Sequence, residues 1–238
     1  MRRSILFATA LTIAAPAAAT EIQIAVTNPV VEMAVNEVVQ SAPDTATIGA
    51  GVTTRAASAS EAMRLNAAAM ERVVARVRAL GIPAKDIQTS SFSLNAQYQY
   101  VRDGEAPKFL GYDASNQVSV TLRDLVKVGE TLDALVAAGA NNLYGPNFTL
   151  EKDQEAKSAA RRAAFARAQA LAGEYARMAG FNGLRLLEVS EAFTGTGPLP
   201  VTGQALNMSA AKDAVATPVE PGRVGTGVQL VAKFEMTK

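Results

Sequence analysis

The stretch Thr45–Pro83, TATIGAGVTTRAASASEAMRLNAAAMERVVARVRALGIP, decides the fold because its apolar period changes partway along. Ala46, Ile48, Ala50 and Val52 fall on one face with Thr and Gly on the other, the period of two that marks a half-buried strand. From Ser58 the period lengthens. Met63, Asn66, Met70, Val73, Val77 and Leu80 follow at alternating spacings of three and four, which is one stripe of a helix. Ser58 and Glu61 spell a capping box, the serine accepting from the third amide and the glutamate reaching back. Gly81-Ile82-Pro83 ends the helix with a left-handed cap and a residue that cannot continue it.

Alternation resumes at Ile87. Phe92, Leu94, Ala96, Tyr98 and Tyr100 lie on one face, with Ser, Asn and Gln on the other. Arg102 to Lys108, containing Asp103-Gly104, reads as a turn, after which Leu110, Tyr112, Ala114, Asn116, Val118, Val120 and Leu122 alternate. These two runs predict a long hairpin with one apolar and one polar face. Asp124 opens a linking helix over 124–138, with Leu125, Val128, Leu132, Leu135 and Val136 inward and Gly139 at its end. A short strand at 146–150 precedes an alanine-rich helix from Asp153 to Met178, whose stripe reads Ala164, Ala168, Leu171, Tyr175 and Met178. Strands at 184–191 and 223–237 follow. On the N-terminal side, 21–27 reads as a short leading strand or ordered tail, and Val38-Val39 begins a strand region broken at Ala42-Pro43-Asp44.

The order is therefore β-α-β-β, a helix, then β-α-β-β. It predicts an α+β fold in which two β-α-β-β units form a mixed sheet or sheets with helices packed on one face. Residues 20–44 read as a segment leading into one domain at 45–237, with halves at about 45–122 and 145–237. Gly195–Gly222, rich in Pro, Gly and Ala and lacking a period, is expected to be a mobile loop.

Composition bounds the chemistry. The 238 residues contain no His, Cys or Trp, which excludes Ser-His-Asp and Cys-His nucleophiles, thiol redox work, disulfides and zinc or haem sites built on those residues. Met1-Arg2-Arg3, an uncharged apolar run over Ile5–Ala15 and the small-residue site Ala17-Ala18-Ala19 read as a secretory signal peptide, residues 1–19, cleaved after Ala19. The run is far short of the roughly 20 residues of a spanning helix. Cleavage removes two arginines and no acid, turning a formal charge of +1 into −1. Such a chain lacks the positive field that nucleic acid binding needs, and with no disulfide it must be held by core burial alone. The expected location is the periplasm or outer envelope, with no integral membrane segment after processing.

Several segments then resemble a known family in the right order. They are Val39–Ala46 (VQSAPDTA), Gly81-Ile82, Asp86–Leu94 (DIQTSSFSL), Gln97–Tyr100 (QYQY), Gly111–Val120 (GYDASNQVSV) with Arg123-Asp124-Leu125, and Ala138–Asn141 (AGAN). They resemble the SIMPL-domain (DUF541) family over about residues 30–237. The resemblance implies an exported periplasmic or envelope protein associated with oxidative and other stress responses. It implies no catalytic residue and no cofactor.

Motifs elsewhere read as architecture. Ile48-Gly49-Ala50-Gly51 sits where a dinucleotide loop would, but the third glycine is missing and the alternation runs through it, so the glycines serve close packing or a bulge. Ser209-Ala210-Ala211-Lys212 spells S-x-x-K, yet no K-T-G accompanies it and Ser93-Leu94-Asn95 precedes it. Asp103/Glu105 and Asp153/Glu155 fit a hairpin tip and a first helical turn. Met33 and Met208 are the methionines expected to be most open to oxidants.

The sequence thus points to a non-enzymatic exported protein acting through protein contact or self-assembly, with envelope partners as further candidates. The alternatives are a hydrolase with a Ser-Lys or carboxylate site, or a carrier of a small ligand. No catalytic, cofactor or metal residue is assigned. The candidate self-association residues are Phe92, Leu94, Tyr98, Tyr100 and Tyr112 on the apolar face of the hairpin.

Overall fold

The computed structural model describes residues 25–100, 106–198 and 217–238. Seven strands and three long helices follow in the order β1 (Val30–Ser41), β2 (Thr45–Ala56), α1 (Ala59–Ala79), β3 (Ile87–Gln99), β4 (Lys108–Leu122), α2 (Val128–Ala137), β5 (Asn142–Thr149), α3 (Gln154–Met178), β6 (Gly183–Pro198) and β7 (Val224–Thr237). They build an α+β fold of two sheets, ordered β3-β4-β2-β5 and β1-β7-β6. Helix α1 crosses between β2 and β3, which run the same way, but β4 lies between them, so every ladder is antiparallel.

The two sheets exchange strands. β1 pairs with β7 over its whole length, Val30↔Glu235 to Ser41↔Val224, although the chain before residue 45 reads as a lead-in. β5, which follows the order of the second unit, pairs with β2 of the first. Each sheet is thus completed by a strand from the far side of the chain. Of the expected loop at 195–222, residues 195–198 end β6 and 199–216 lie outside the described residues.

Helix α1 begins as its sequence demands. The Ser58 hydroxyl accepts from the Glu61 amide at 3.3 Å, but the Glu61 carboxylate turns to Arg64 at 2.7 and 2.8 Å instead of closing the capping box. Its buried residues are Ala62, Asn66, Ala69, Met70, Val73 and Val77, packed on Ile48, Ala50, Val52, Val118 and Val120. Met63, read as part of the stripe, is exposed, because the buried stripe drifts by one residue onto Ala62 and Ala69. Each fully buried Val or Ile there stabilises by roughly 1.5–3 kcal/mol relative to an exposed one.

Helix α3 approaches the other sheet differently. Ala156, Ala160, Ala164, Ala168, Ala172 and Ala176 recur every fourth residue and are buried, and the central four pack on Val228, Leu230, Ala232 and Phe234. Small residues let the helix lie close while the strand supplies the bulk. Tyr175 and Met178, expected inward, are exposed; so is Val136 of α2. The opposite face of the four-stranded sheet stays open and polar, carrying the glycines of β2 together with Thr47, Thr53, Ser115, Gln117 and Ser119.

Candidate functional site

β3 is an outer strand of the four-stranded sheet, paired among the described residues only with β4. From Ile87 to Val101 the sequence holds no charge and no proline. The other sheet edges are guarded: β1 carries Glu32 and Glu37, β6 carries Arg185, Glu188 and Glu191, and β5 is short and contains Pro146. Charges and prolines at an edge oppose further strand pairing. β3 alone among the four lacks them, so among the described residues its outward N–H and C=O groups form an open template, with register shifts against β4 between Thr89 and Ser91 and between Gln97 and Tyr98.

The helix-side face of this hairpin is apolar beyond the reach of α1. Phe92 pairs with Asn116, Leu94 with Ala114, Ala96 with Tyr112 and Tyr98 with Phe109. Phe92 is 51% exposed, Tyr98 48% and Tyr100 81%, while Leu94 and Tyr112 are half-buried. Tyr98 meets Phe109 edge-on at 5.5 Å between ring centroids, and Phe109 meets Tyr112 at 5.3 Å. Such edge-to-face pairs hold a ring cluster in place.

Of the five sequence-assigned residues, Phe92, Leu94, Tyr98 and Tyr112 share one face of the hairpin, Tyr100 lies one residue past β3, and the central ring of the patch, Phe109, is absent from that set. Straight alternation puts Leu110 with Tyr112. The register slips between Gln97 and Tyr98, inserting Leu110 as an extra residue and turning Phe109 onto the Tyr112 side. Leu110 is instead exposed on its own. The available signal was Gly111, set between Phe109 and Tyr112 inside the strand, which takes a positive φ at the slip.

The charged groups show a different pattern. Arg123 donates to Asp86 at 2.7 Å and to both oxygens of Glu151 at 2.7 and 3.0 Å. Asp44 in turn accepts from the amides of Glu151 and Lys152 at 2.6 and 3.0 Å. Burial would push the Asp44 carboxyl up, but those amides outweigh it and hold it below the usual range. The hydrogen bonds from Arg123 lower Glu151 likewise. A cavity of about 470 Å³ lies beside this network, lined by Leu80, Ile82, Asp86, Leu122, Arg123 and Glu130 among others. On β7 of the other sheet, the amides of Thr27 and Asn28 and the Arg185 guanidinium bring Glu235 down to about 2. Ionised, paired carboxylates fasten chain segments together; a general acid needs the opposite shift.

The remaining sequence candidates disperse. Ser93 and Asn95 lie exposed on β3. Asp153 pairs with Lys157 at 2.8 Å in the first turn of α3. The glycines Gly49 and Gly51 lie within β2, as the alternation required. Met33 is half-buried under α3, whereas Met63 and Met178 are the exposed methionines. The signal segment 1–19, the pair Asp103/Glu105, Met208 and Ser209–Lys212 lie outside the described residues. Among the described residues no helix is long and apolar enough to cross a membrane, and no group of His, Cys, Asp and Glu side chains could hold a metal ion.

Comparison with known proteins places this geometry. Residues 31–234 match the SIMPL family profile, described as a protein of unknown function (DUF541). The chain is 31% identical over 200 residues to the 26 kDa periplasmic immunogenic protein of Brucella melitensis, covering 82% of this chain and 80% of that one. The Brucella abortus protein of the same name matches equally. Uncharacterized protein YggE of Escherichia coli K12 is 29% identical over 126 residues, covering 53% of this chain and 50% of YggE.

Proposed function

The chain belongs to the SIMPL family, and on that premise we propose that it is a non-enzymatic exported protein working through self-association along the β3 edge. Export rests on the signal-like residues 1–19, and the name of the Brucella relatives, periplasmic immunogenic protein, supports a periplasmic or envelope location. A part in envelope or oxidative-stress tolerance follows from the family resemblance, and contact with a second copy or another envelope protein is its mechanism. The observation that carries this reading is the unguarded, uncharged β3 edge beside the Phe92–Tyr98–Phe109–Tyr112 patch. All resolved carboxylate shifts among the described residues are downward, which supports a structural over a catalytic use of acids.

Light scattering on the mature chain at tens of micromolar tests the proposal. An oligomer is expected, and Phe92→Lys with Tyr98→Lys should shift it to monomer with unchanged circular dichroism, because both side chains are half-exposed. A monomeric wild type, or an oligomer indifferent to both substitutions, ends this reading.

A further inference from the structure

The polar face of the four-stranded sheet is the reverse side of the hairpin patch and is left unused by self-association. Its register brings Ser119, Gly49 and Tyr144 into one row across β4, β2 and β5, and Gln117, Gly51 and Asn142 into the next. Between the Thr47–Thr121 row and the Arg55–Asp113 row, the ion pair of Arg55 with Asp113 is the only charge on the face among the described residues. Arg55 closes on Asp113 with two bonds, at 2.6 and 2.7 Å, so the pair neutralises itself. The surface therefore offers hydroxyls, amides and one aromatic ring, with no net charge and no aliphatic side chain.

Glycine makes room for that ring. A Cβ at Gly49 would lie 2.8 Å from Gln117 Nε2 and 3.3 Å from Tyr144 Cβ, so any other residue there displaces both side chains. Gly51 is as tight, its Cβ falling 3.2 Å from the Asn116 carbonyl oxygen. Two glycines alternating on one face of β2 let the Gln117 and Tyr144 side chains settle over that strand. Tyr144 is 57% exposed. Next to Asn142, on the same face, lies a concavity of about 430 Å³ lined by Thr53, Arg55, Asp113, Asn141 and Asn142.

The amides around that concavity are fixed. Asn141 Nδ2 donates to the Thr53 carbonyl at 2.9 Å while its Oδ1 accepts from the Thr53 amide at 2.8 Å. Asn142 Nδ2 donates to Thr53 Oγ1 at 2.7 Å, and Thr53 Oγ1 to Ser115 Oγ at 3.0 Å. A network held this way presents Asn142 Oδ1 at little entropic cost to a ligand.

We propose that this face binds an uncharged oligosaccharide. A pyranose has an apolar C–H face that stacks on an exposed tyrosine ring, and edge hydroxyls that pair with amide and hydroxyl side chains. Charge complementarity selects the class: a self-neutralised surface has no net attraction for a phosphate, a nucleic acid or an anionic lipid, and the cost of drying its amides and hydroxyls is offset when a neutral polyol remakes their hydrogen bonds. One stacked ring and a few hydrogen bonds set the affinity at a Kd on the order of 1 mM.

The test is an NMR titration of the mature chain, uniformly 15N-labelled and carrying 13C-labelled tyrosine, with chitohexaose, cellohexaose and maltohexaose, the Gly51 amide reporting binding in every variant. A saturable shift of the Tyr144 ring signal is expected with at least one of them, unaffected by added salt. Tyr144→Ala should weaken binding by about tenfold or more, and Asn142→Ala by less, while Phe92→Lys on the opposite face leaves it unchanged. Gly49→Val should abolish it, with circular dichroism confirming the fold. Saturation by none of the three sugars, equal binding by Tyr144→Ala, or binding that falls steeply with salt overturns the proposal. None of these outcomes bears on self-association, which is read by light scattering.

Discussion

Asn66 is a polar residue in the middle of an apolar stripe, and its replacement tests how α1 is held to its sheet. Its side chain is 1% exposed and its Nδ2 donates to two carbonyl oxygens, Val52 at 2.7 Å on β2 and Ala114 at 2.8 Å on β4. One amide thereby clamps the helix to two neighbouring strands. Asn66→Ala removes two hydrogen bonds, each contributing about 1 kcal/mol net, and leaves a void, for a total loss of about 2–4 kcal/mol. In a chain of this size that lowers Tm by roughly 5–15 °C, and urea melts should show a lower midpoint at constant slope. Asn66→Asp goes further at neutral pH, because a carboxylate would face two carbonyl oxygens without water. Burial raises that carboxyl above its unfolded value of about 3.9, so the added penalty is small below that pH and grows as pH rises toward the folded value. Subtracting the wild-type melt at each pH isolates the effect. An Asn66→Ala variant within about 0.5 kcal/mol of wild type would refute the clamp, as would an Asp variant whose deficit is the same at pH 4 and pH 8.

Two further outcomes follow from the same contacts. Glu235 is held at about 2, below its unfolded value of about 4.3, by the Thr27 and Asn28 amides and Arg185. Its contribution is fully present above the unfolded value and is lost as pH falls toward the folded one, so Glu235→Gln should flatten the acid limb of a stability-against-pH curve between those values; an unchanged limb sinks the assignment. On α3, Ala168→Leu inserts bulk where the helix lies against Leu230 and Ala232 and should cost about 1–3 kcal/mol, whereas Met178→Ala, 80% exposed, should stay within about 0.5 kcal/mol in the same denaturation assay.

Much of this fold was legible because its elements state their period plainly. β2, α1 and β4 each bury one face of a clear pattern, and the glycine stops at Gly81, Gly139 and Gly180 all take positive φ. The failures have physical causes. β1 alternates through Val31, Met33 and Val35, but Glu37 interrupts the inward face, and only its pairing with Arg167 of α3 at 2.7 Å makes that position tolerable. In α3 the large side chains Tyr175 and Met178 draw the stripe away from the alanines that are buried, because alanine carries little hydrophobic signal of its own. A single extra residue, Leu110, moved Phe109 into the aromatic patch, since one inserted residue turns the following side chains to the other face. Which strands exchange between sheets is a long-range matter that no local period records.

The two proposed surfaces are geometrically related. If β3 pairs with β3 of a second copy in antiparallel register, the two-fold axis stands perpendicular to the sheet, and like faces remain on the same side. The apolar patches then meet on the helix side, which covers Phe92 and Tyr98. On the reverse side, the neutral polar faces join into one surface of eight strands, roughly 35–40 Å across at about 4.8 Å per strand. A single face with one exposed Tyr144 binds a short sugar weakly. Two such faces on a common plane can engage one long chain at two points, so the second contact forms at the high effective concentration set by the first. Self-association would then convert a surface too weak to act alone into one that retains an extended polysaccharide, and the uncharged β3 edge is what makes that conversion available to this fold.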